Sequence, residues 1–237
     1  MLAHQTGYGA NGKQNFLFPL TDMYLTQGYG TGTYSHDGTY AMDFDGYYNG
    51  ISMDHAPYFA PFDCTCVAKW GSEGQRVVWT SDQEVNFIDG TVGYATIEFI
   101  HDDDAPNIPV GYHVYQGDII GHTGTYGPGQ ITGDHVHIEA KKGLYTGHHE
   151  NTYGVYMLND SMPLTDLIGV NNTQILNTTY HGTTYVWNTF AVNEPEPPSI
   201  HLTRKRFPWY LIADKLQKLM MANNMLLIKL TLKLGQI

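Results

Sequence analysis

Two histidines separated by one residue are the strongest chemical signal in this sequence. They are His135 and His137, within the segment Gly-Asp-His-Val-His-Ile-Glu at 133–139. In a β-strand alternate side chains share a face, so the two imidazoles would project the same way with Cα atoms about 7 Å apart. A metal ion could lie between them. A surface strand that carries two histidines by chance is the competing interpretation.

A second segment offers further ligands for such an ion. His36 is followed seven residues later by Asp43, which lies in the apolar, strand-like run Ala-Met-Asp-Phe-Asp. A buried carboxylate needs a partner, and a cation supplies one. Asp45 lies on the same strand face and competes with Asp43 for this role. Two histidines and one aspartate would form a three-ligand site with an open fourth position, which favours a catalytic zinc, although other divalent transition metals would also fit.

Short strand-like runs surround these segments and predict a mainly β fold. They lie at 75–80, 94–100, 118–124, 134–140 and 183–190, and each is bounded by Gly, Asn, Asp or Pro. Glycine-rich stretches at 28–32 and 127–129 lack the spacing of a phosphate-binding loop and are predicted to be turns. Together these patterns predict a domain built on an antiparallel β-sheet, without the fixed internal repeat of a solenoid or propeller.

The composition restricts the possible functions. The 237 residues are 42% hydrophobic and carry a formal net charge of −11, which allows a buried core and disfavours binding to nucleic acid. No stretch has the roughly 18 apolar residues of a membrane span, and the first residues lack the basic-then-apolar order of a signal peptide. Cys64 and Cys66 are separated by one residue, a spacing that would strain a disulfide, and are expected to be free thiols in a strand.

A change of charge and composition divides the chain near residue 194. Seven of the 12 Lys and Arg residues lie beyond residue 200, together with a single acid, Asp214. The segment at 194–200 is rich in proline and is expected to be an extended linker. We therefore expect a domain at 1–193, a linker at 194–200 and a basic amphipathic tail at 201–237, with a helix over 210–221 and an extended segment over 228–234. The tail could dock on the acidic domain or contact an anionic surface or a partner protein.

Several segments in a fixed order resemble a known family. They read S-H-x-G-x-x-A-x-D-F at 35–44, A-P-F-D at 60–63, F-I-H at 99–101, V-Y-Q-G-D-I-I-G at 114–121 and T-G-D-H-V-H-I-E at 132–139. In this order they resemble the lysostaphin-like (LytM-type) zinc metalloendopeptidases, over a motif core of about 29–140. The seven-residue step from His36 to Asp43 resembles the phage-tail branch of that family. The resemblance implies an antiparallel β-sheet peptidase domain with an active-site groove, followed by a short helical or extended tail.

The resemblance also implies a role for individual residues. It implies three zinc ligands, which are His36, Asp43 and His137. His135 and His101 would be the catalytic histidines, His101 because it follows a strand and precedes the segment at 114–121. The alternatives to His101 are His113 and His122, which flank that segment at its two ends. The remaining histidines, among them the pair His148 and His149, are expected at the surface, where this pair could rim a substrate groove.

The function implied by the resemblance is hydrolysis of peptide bonds in bacterial peptidoglycan, in a cross-link or a stem peptide, by a zinc-dependent endopeptidase. The phage members of the family imply an enzyme of the virion tail, or an extracellular one, that acts at the bacterial cell wall. Its partners would be the peptidoglycan peptide and other phage tail proteins. The alternatives are a catalytically silent wall-binding module and a structural tail component that uses zinc for stability.

Overall fold

The structure, a computed structural model, describes residues 1–30, 32–70, 75–102, 104, 107–125 and 133–191. The predicted linker at 194–200 and the predicted basic tail at 201–237 lie outside these residues, as does the predicted turn at 127–129. Within the described ranges, no helix has the length and apolar character needed to cross a membrane.

Strands make up most of the regular structure in the described residues. In chain order they are β1 (Asp22–Gln27), β2 (Met42–Asp45), β3 (Tyr47–Tyr48), β4 (Ile51–Ser52), β5 (Pro57–Phe59), β6 (Cys64–Trp70), β7 (Arg76–Ser81), β8 (Val85–Asn86), β9 (Val92–Gly93), β10 (Ala95–Ile100), β11 (His113–Val114), β12 (Ile119–His122), β13 (His135–Lys142), β14 (His148–Glu150), β15 (Tyr156–Leu158), β16 (Gln174–Asn177), β17 (Thr179–Tyr180) and β18 (Thr183–Thr184). A short helix α1 spans Leu164–Leu167, and a 3₁₀ turn spans Tyr34–His36. The prediction of a mainly β fold is confirmed.

Eight of these strands form the central sheet, in the order β11-β6-β7-β10-β13-β2-β1-β16. Every neighbouring pair is antiparallel except β1 and β16, which run parallel at one edge. The predicted antiparallel sheet is therefore confirmed, with one parallel pair added. β10, β13 and β2 are neighbours within the sheet, and most of the candidate site residues lie on them or directly after them.

Strand β13 shows why the sheet has one apolar and one polar face. From residue 135 to 141 it alternates between histidine, glutamate or lysine and smaller apolar side chains. Val136, Ile138 and Ala140 are fully buried in the hydrophobic core. The residues between them project to the opposite face, because successive side chains of a strand point to opposite sides. The sequence of β13 thus places the core on one face and the polar chemistry on the other.

The predicted strand at 183–190 is wrong for most of its length. Only Thr183–Thr184 is a strand, paired with β17. The following residues pack on the core instead: Tyr185 is 6% exposed, and the ring of Trp187 meets that of Phe18 edge-on with centroids 5.4 Å apart. The alternation of aromatic and polar residues here places aromatic side chains on the core, and residues 185–190 do not form a strand.

Cys64 and Cys66 are free thiols in β6, as predicted, and both are fully buried in the hydrophobic core. Burial raises the pKa of both thiols. They therefore stay in the neutral thiol form, which binds metal poorly.

We expect the double substitution Cys64→Ser, Cys66→Ser to leave the metal content of the protein unchanged while lowering its stability. Each buried hydroxyl would cost about 1–3 kcal/mol in the free energy of unfolding unless it finds a hydrogen-bond partner. Urea unfolding and metal analysis of the same sample measure the two effects. Loss of metal from a folded double variant would show that a thiol belongs to the metal site.

Candidate metal centre

The pairing of β2 with β13 brings predicted ligands together. In the antiparallel register His137 lies opposite Asp43, and His135 lies opposite Asp45. Directly opposite residues have Cβ atoms about 4.5–5.5 Å apart on one face of a sheet. The two strands therefore present two histidines and two carboxylates as a compact group on the polar face.

His36 reaches the same place from a different segment. It ends the 3₁₀ turn and is 2% exposed. Its Nε2 lies 3.2 Å from Oδ1 of Asp43, and Nδ1 of His137 lies 3.0 Å from the same oxygen. The centroids of the two imidazole rings are 4.9 Å apart. One oxygen and two nitrogens thus converge from three segments of the chain.

Among the described residues, His36, Asp43 and His137 form the group that could hold a metal ion. One ligand atom from each lies within 4.8 Å of the others, and all three residues are buried. Asp45 is outside this group; it is half-buried and accepts a hydrogen bond from the Gly46 amide at 3.1 Å. The strand register decides between the two aspartates as candidate ligands, because Asp43 is the one that lies opposite His137.

Hydrogen bonds on the far side of each ring decide which nitrogen faces the group. Nδ1 of His36 lies 3.3 Å from the carbonyl oxygen of Gly28, and Nε2 of His137 lies 3.1 Å from Oε1 of Glu139. These oxygens only accept hydrogen bonds, so each ring carries a proton on the nitrogen that contacts them. The opposite nitrogens, Nε2 of His36 and Nδ1 of His137, face Oδ1 of Asp43, and a metal would bind them in place of the protons that they donate to this oxygen.

The electrostatics of the group favour a cation. Burial by itself would raise the pKa of Asp43, but the charge on His36 and hydrogen bonds from His137 and His36 hold this pKa well below its usual range. Burial would likewise lower the pKa of His137, but its hydrogen bonds to Asp43 and Glu139 raise it to about 9. The carboxylates thus attract positive charge to the imidazoles, and a metal cation can supply that charge in place of a proton.

Two further imidazoles lie beside this group. His101 follows β10, whose last residue, Ile100, is paired with His137. Its φ of 72° lies in the left-handed region, which residues other than glycine rarely adopt and which recurs at functional sites. The ring centroid of His101 is 4.5 Å from that of His135 and 6.3 Å from that of His137. The structure therefore brings both predicted catalytic histidines next to the candidate metal group.

The two alternatives to His101 have other partners. Nε2 of His113 lies 2.6 Å from Oδ2 of Asp82, and Nδ1 of His122 contacts Asp104. His113 also lies on the edge strand β11, with β6, β7 and β10 between it and β13. In the part of the chain that the structure describes, His101 is the candidate whose ring lies near the rings of both His135 and His137.

The expectation that His148 lies at the surface is wrong, whereas its neighbour His149 is exposed. The His148 side chain is 5% exposed, and its Nε2 lies 3.0 Å from Oε2 of the fully buried Glu98. Nη1 of Arg76 donates to the same carboxylate at 3.0 Å, and Nη2 donates to the carbonyl of Tyr156. The β14–β15 hairpin thus covers a part of the polar face that the sequence pattern leaves open to solvent.

Glu139 is a polar residue of β13 to which the motif resemblance assigns no role. It is fully buried and contacts His137 from the same strand. It lies two residues after His137, and the two-residue period of a strand places both side chains on one face. The contact between Glu139 and His137 could therefore have been predicted from their two-residue spacing in a strand.

No protein-family model matches the chain. Morphogenesis protein 1 of Bacillus phage B103 is 36% identical to it over 185 residues, which make up 78% of this chain and 47% of that protein. The chain therefore spans about half the length of this relative.

Several solved structures show weaker similarity. A zinc-containing peptidase from Vibrio cholerae is 15% identical with a TM-score of 0.37, over 65% of this chain and 44% of that one. LytU is 20% identical with a TM-score of 0.36, over 57% of this chain and 81% of that one. Lysostaphin from Staphylococcus simulans is 19% identical with a TM-score of 0.37, over 57% of this chain and 61% of that one. These TM-scores are too low to assign a fold, so the fold is described from the strands of this chain alone.

Proposed function

We propose that this chain is a zinc-dependent endopeptidase that hydrolyses peptide bonds of bacterial peptidoglycan. The observation that carries the proposal is the group of buried ligand atoms from His36, Asp43 and His137. The rings of His101 and His135 lie beside this group. A metal-binding group with two adjoining imidazoles contains the side chains that metal-assisted hydrolysis of an amide requires.

Zinc fits the residues that are present. Two imidazole nitrogens and one carboxylate oxygen make three protein ligands, the number found in catalytic zinc sites. The thiols of Cys64 and Cys66 lie in the apolar core on β6. When bound, zinc supplies a Lewis acid that polarises a carbonyl and lowers the pKa of water. His36, Asp43 and His137 are the residues that would hold it.

His135 is placed to move the proton. Its Nδ1 lies 2.9 Å from the carbonyl oxygen of Gly133, so this nitrogen carries the ring proton. Nε2 is then the basic nitrogen, able to accept a proton from the attacking water and to pass it to the leaving amine. Asp45, directly opposite in the register, places a carboxylate beside the imidazolium that forms between these two transfers.

His101 is assigned the stabilisation of negative charge. Its ring adjoins that of His135, so both can approach one substrate carbonyl from neighbouring positions. The carbonyl oxygen gains negative charge as the carbon becomes tetrahedral, and a hydrogen bond from a positioned imidazole stabilises this state. The two histidines thus divide the work between proton transfer and charge stabilisation.

The substrate and the setting are supported by two similarities. The ordered motifs at 35–44, 60–63, 99–101, 114–121 and 132–139 resemble those of lysostaphin-like peptidases, which act on peptidoglycan. The similarity to a phage morphogenesis protein supports a place in a phage particle, with other phage tail proteins as partners. We therefore place the activity at the bacterial cell wall, in a virion tail or outside the cell.

Digestion of purified cell walls tests this function. The zinc-loaded chain, the same sample after chelation, and that sample after zinc is restored are incubated with walls from several bacteria. We expect turbidity to fall in the first and third samples only. Mass spectrometry of the released fragments should show new amino termini at peptide bonds and intact glycan strands.

Two results would overturn the proposal. A chain that binds zinc and releases no fragment from any wall would favour a wall-binding or structural tail module. Fragments cut between sugars would place the activity on the glycan and contradict an endopeptidase.

A further inference from the structure

The carboxylate of Glu139 lies on the side of His137 that faces away from Asp43. Glu139 is fully buried on β13, and its Oε1 is 3.1 Å from Nε2 of His137. The other ring nitrogen of His137, Nδ1, is 3.0 Å from Oδ1 of Asp43. A charged carboxylate is costly to bury unless it is paired, so this position calls for a specific reason.

Two groups besides His137 contact the Glu139 carboxylate in the part of the chain that the structure describes, and both are hydrogen-bond donors. Oγ1 of Thr39 donates to Oε2 at 2.6 Å, and the backbone amide of Leu158 donates to the same oxygen at 3.1 Å. Oε1 is left to accept from His137. These contacts hold the carboxylate from β15 and from the segment that precedes β2, so the acceptor has a fixed place relative to the imidazole.

We propose that Glu139 is a positioning residue that fixes the tautomer and the ring orientation of His137 for metal binding. The carboxylate keeps the ring proton on Nε2, so the lone pair of Nδ1 is directed to the side of His36 and Asp43. Thr39 and the Leu158 amide act through Glu139 by holding its carboxylate in place. This inference rests on the proposed metal site and adds a residue that the motif resemblance does not assign.

The chain contains a matched control for this role. Glu98 lies directly opposite Glu139 in the β10–β13 register and is also fully buried. Its carboxylate contacts Arg76 and His148 instead of His137. Replacing either glutamate by glutamine removes one buried charge from the same face, but only Glu139 contacts a member of the metal group.

Zinc affinity measured by competition with a chromophoric chelator separates the two variants. We expect Glu139→Gln to weaken zinc binding about 10–100-fold, the usual effect of removing the partner of a metal-binding histidine. Glu98→Gln should change the affinity less than about threefold if its carboxylate does not orient a ligand. Equal losses in two folded variants would mean that buried charge in general supports the site, and would overturn the assignment to Glu139.

A measurement on the unmodified chain keeps the proposal testable even if Glu139→Gln does not fold. Nitrogen-15 NMR of the zinc-loaded protein identifies which nitrogen of each histidine binds metal. We expect His137 to bind through Nδ1 and to carry a slowly exchanging proton on Nε2. Binding through Nε2 would overturn the proposal.

Failure of this inference can be told apart from failure of the proposed function, because neither measurement uses a substrate. A chain that does not cleave walls but shows the expected difference between Glu139→Gln and Glu98→Gln loses the enzymatic function and keeps the positioning role. A chain that cleaves walls and shows equal affinities in both variants keeps the function and loses the role of Glu139.

Discussion

Replacing Asp43 by asparagine should abolish tight zinc binding. Removal of a residue that only hydrogen-bonds to a metal ligand lowers metal affinity about 10–100-fold, so the loss of a ligand itself should lower it by at least about 100-fold. Oδ1 of Asp43 lies 3.2 Å from Nε2 of His36 and 3.0 Å from Nδ1 of His137, so it is the atom that the two imidazoles share. The amide of asparagine keeps the shape of the side chain and removes its negative charge. Competition titration with a chelator, together with metal analysis of the purified protein, measures the loss.

Asp45→Asn is the matched control for this substitution. Asp45 lies on the same strand and face but is opposite His135, and it is not part of the group that could hold a metal among the described residues. We therefore expect Asp45→Asn to retain one zinc per chain. Retention of zinc in Asp43→Asn together with its loss in Asp45→Asn would move the carboxylate ligand by two residues and contradict the proposed site.

Replacing His135 or His101 by alanine should lower the rate of wall cleavage by roughly 10²-fold or more while zinc stays bound. This is the usual effect of removing a positioned general base or an oxyanion donor. Both rings lie beside the metal group, but neither belongs to it. The zinc content and the cleavage rate of each variant, measured on the same preparation, show whether the cleavage rate falls without a loss of zinc.

His113→Ala and His122→Ala are the controls for these two variants. Their imidazoles contact Asp82 and Asp104, so we expect cleavage within about threefold of the unmodified rate, in contrast to the effect of losing a catalytic group. If His101→Ala cleaves at the unmodified rate and one of these controls does not, the catalytic role moves to that histidine. If every one of the four variants stays active, the mechanism with two histidines fails for this protein.

Much of the metal centre could be predicted from one-dimensional patterns. The two-residue period of a strand places His135 and His137 on one face, and the alternation of β13 places Val136 and Ile138 in the core behind them. The choice between Asp43 and Asp45 could not be made in this way, because both share a face. It depends on the register between β2 and β13, which is a property of two strands that are far apart in sequence.

Buried polar residues were harder to predict than the strands. His148 was expected at the surface, and the burial of Glu98 could not be predicted, because charged side chains are seldom fully buried unless they are paired. The pairing partners come from β7, β10 and the β14–β15 hairpin, and their meeting depends on how the hairpin folds over the sheet. The strand prediction at 183–190 was wrong for a related reason, since aromatic residues that pack on the core outside a strand can show the same alternation as a strand.

The most direct test of the metal centre is a crystal structure of the zinc-loaded chain with diffraction data collected on both sides of the zinc absorption edge. We expect one strong anomalous peak, within about 2.0–2.2 Å of Nε2 of His36, an oxygen of Asp43 and Nδ1 of His137. A zinc peak at another place in the molecule, or none in a protein that contains zinc by metal analysis, would contradict the assignment of these three ligands.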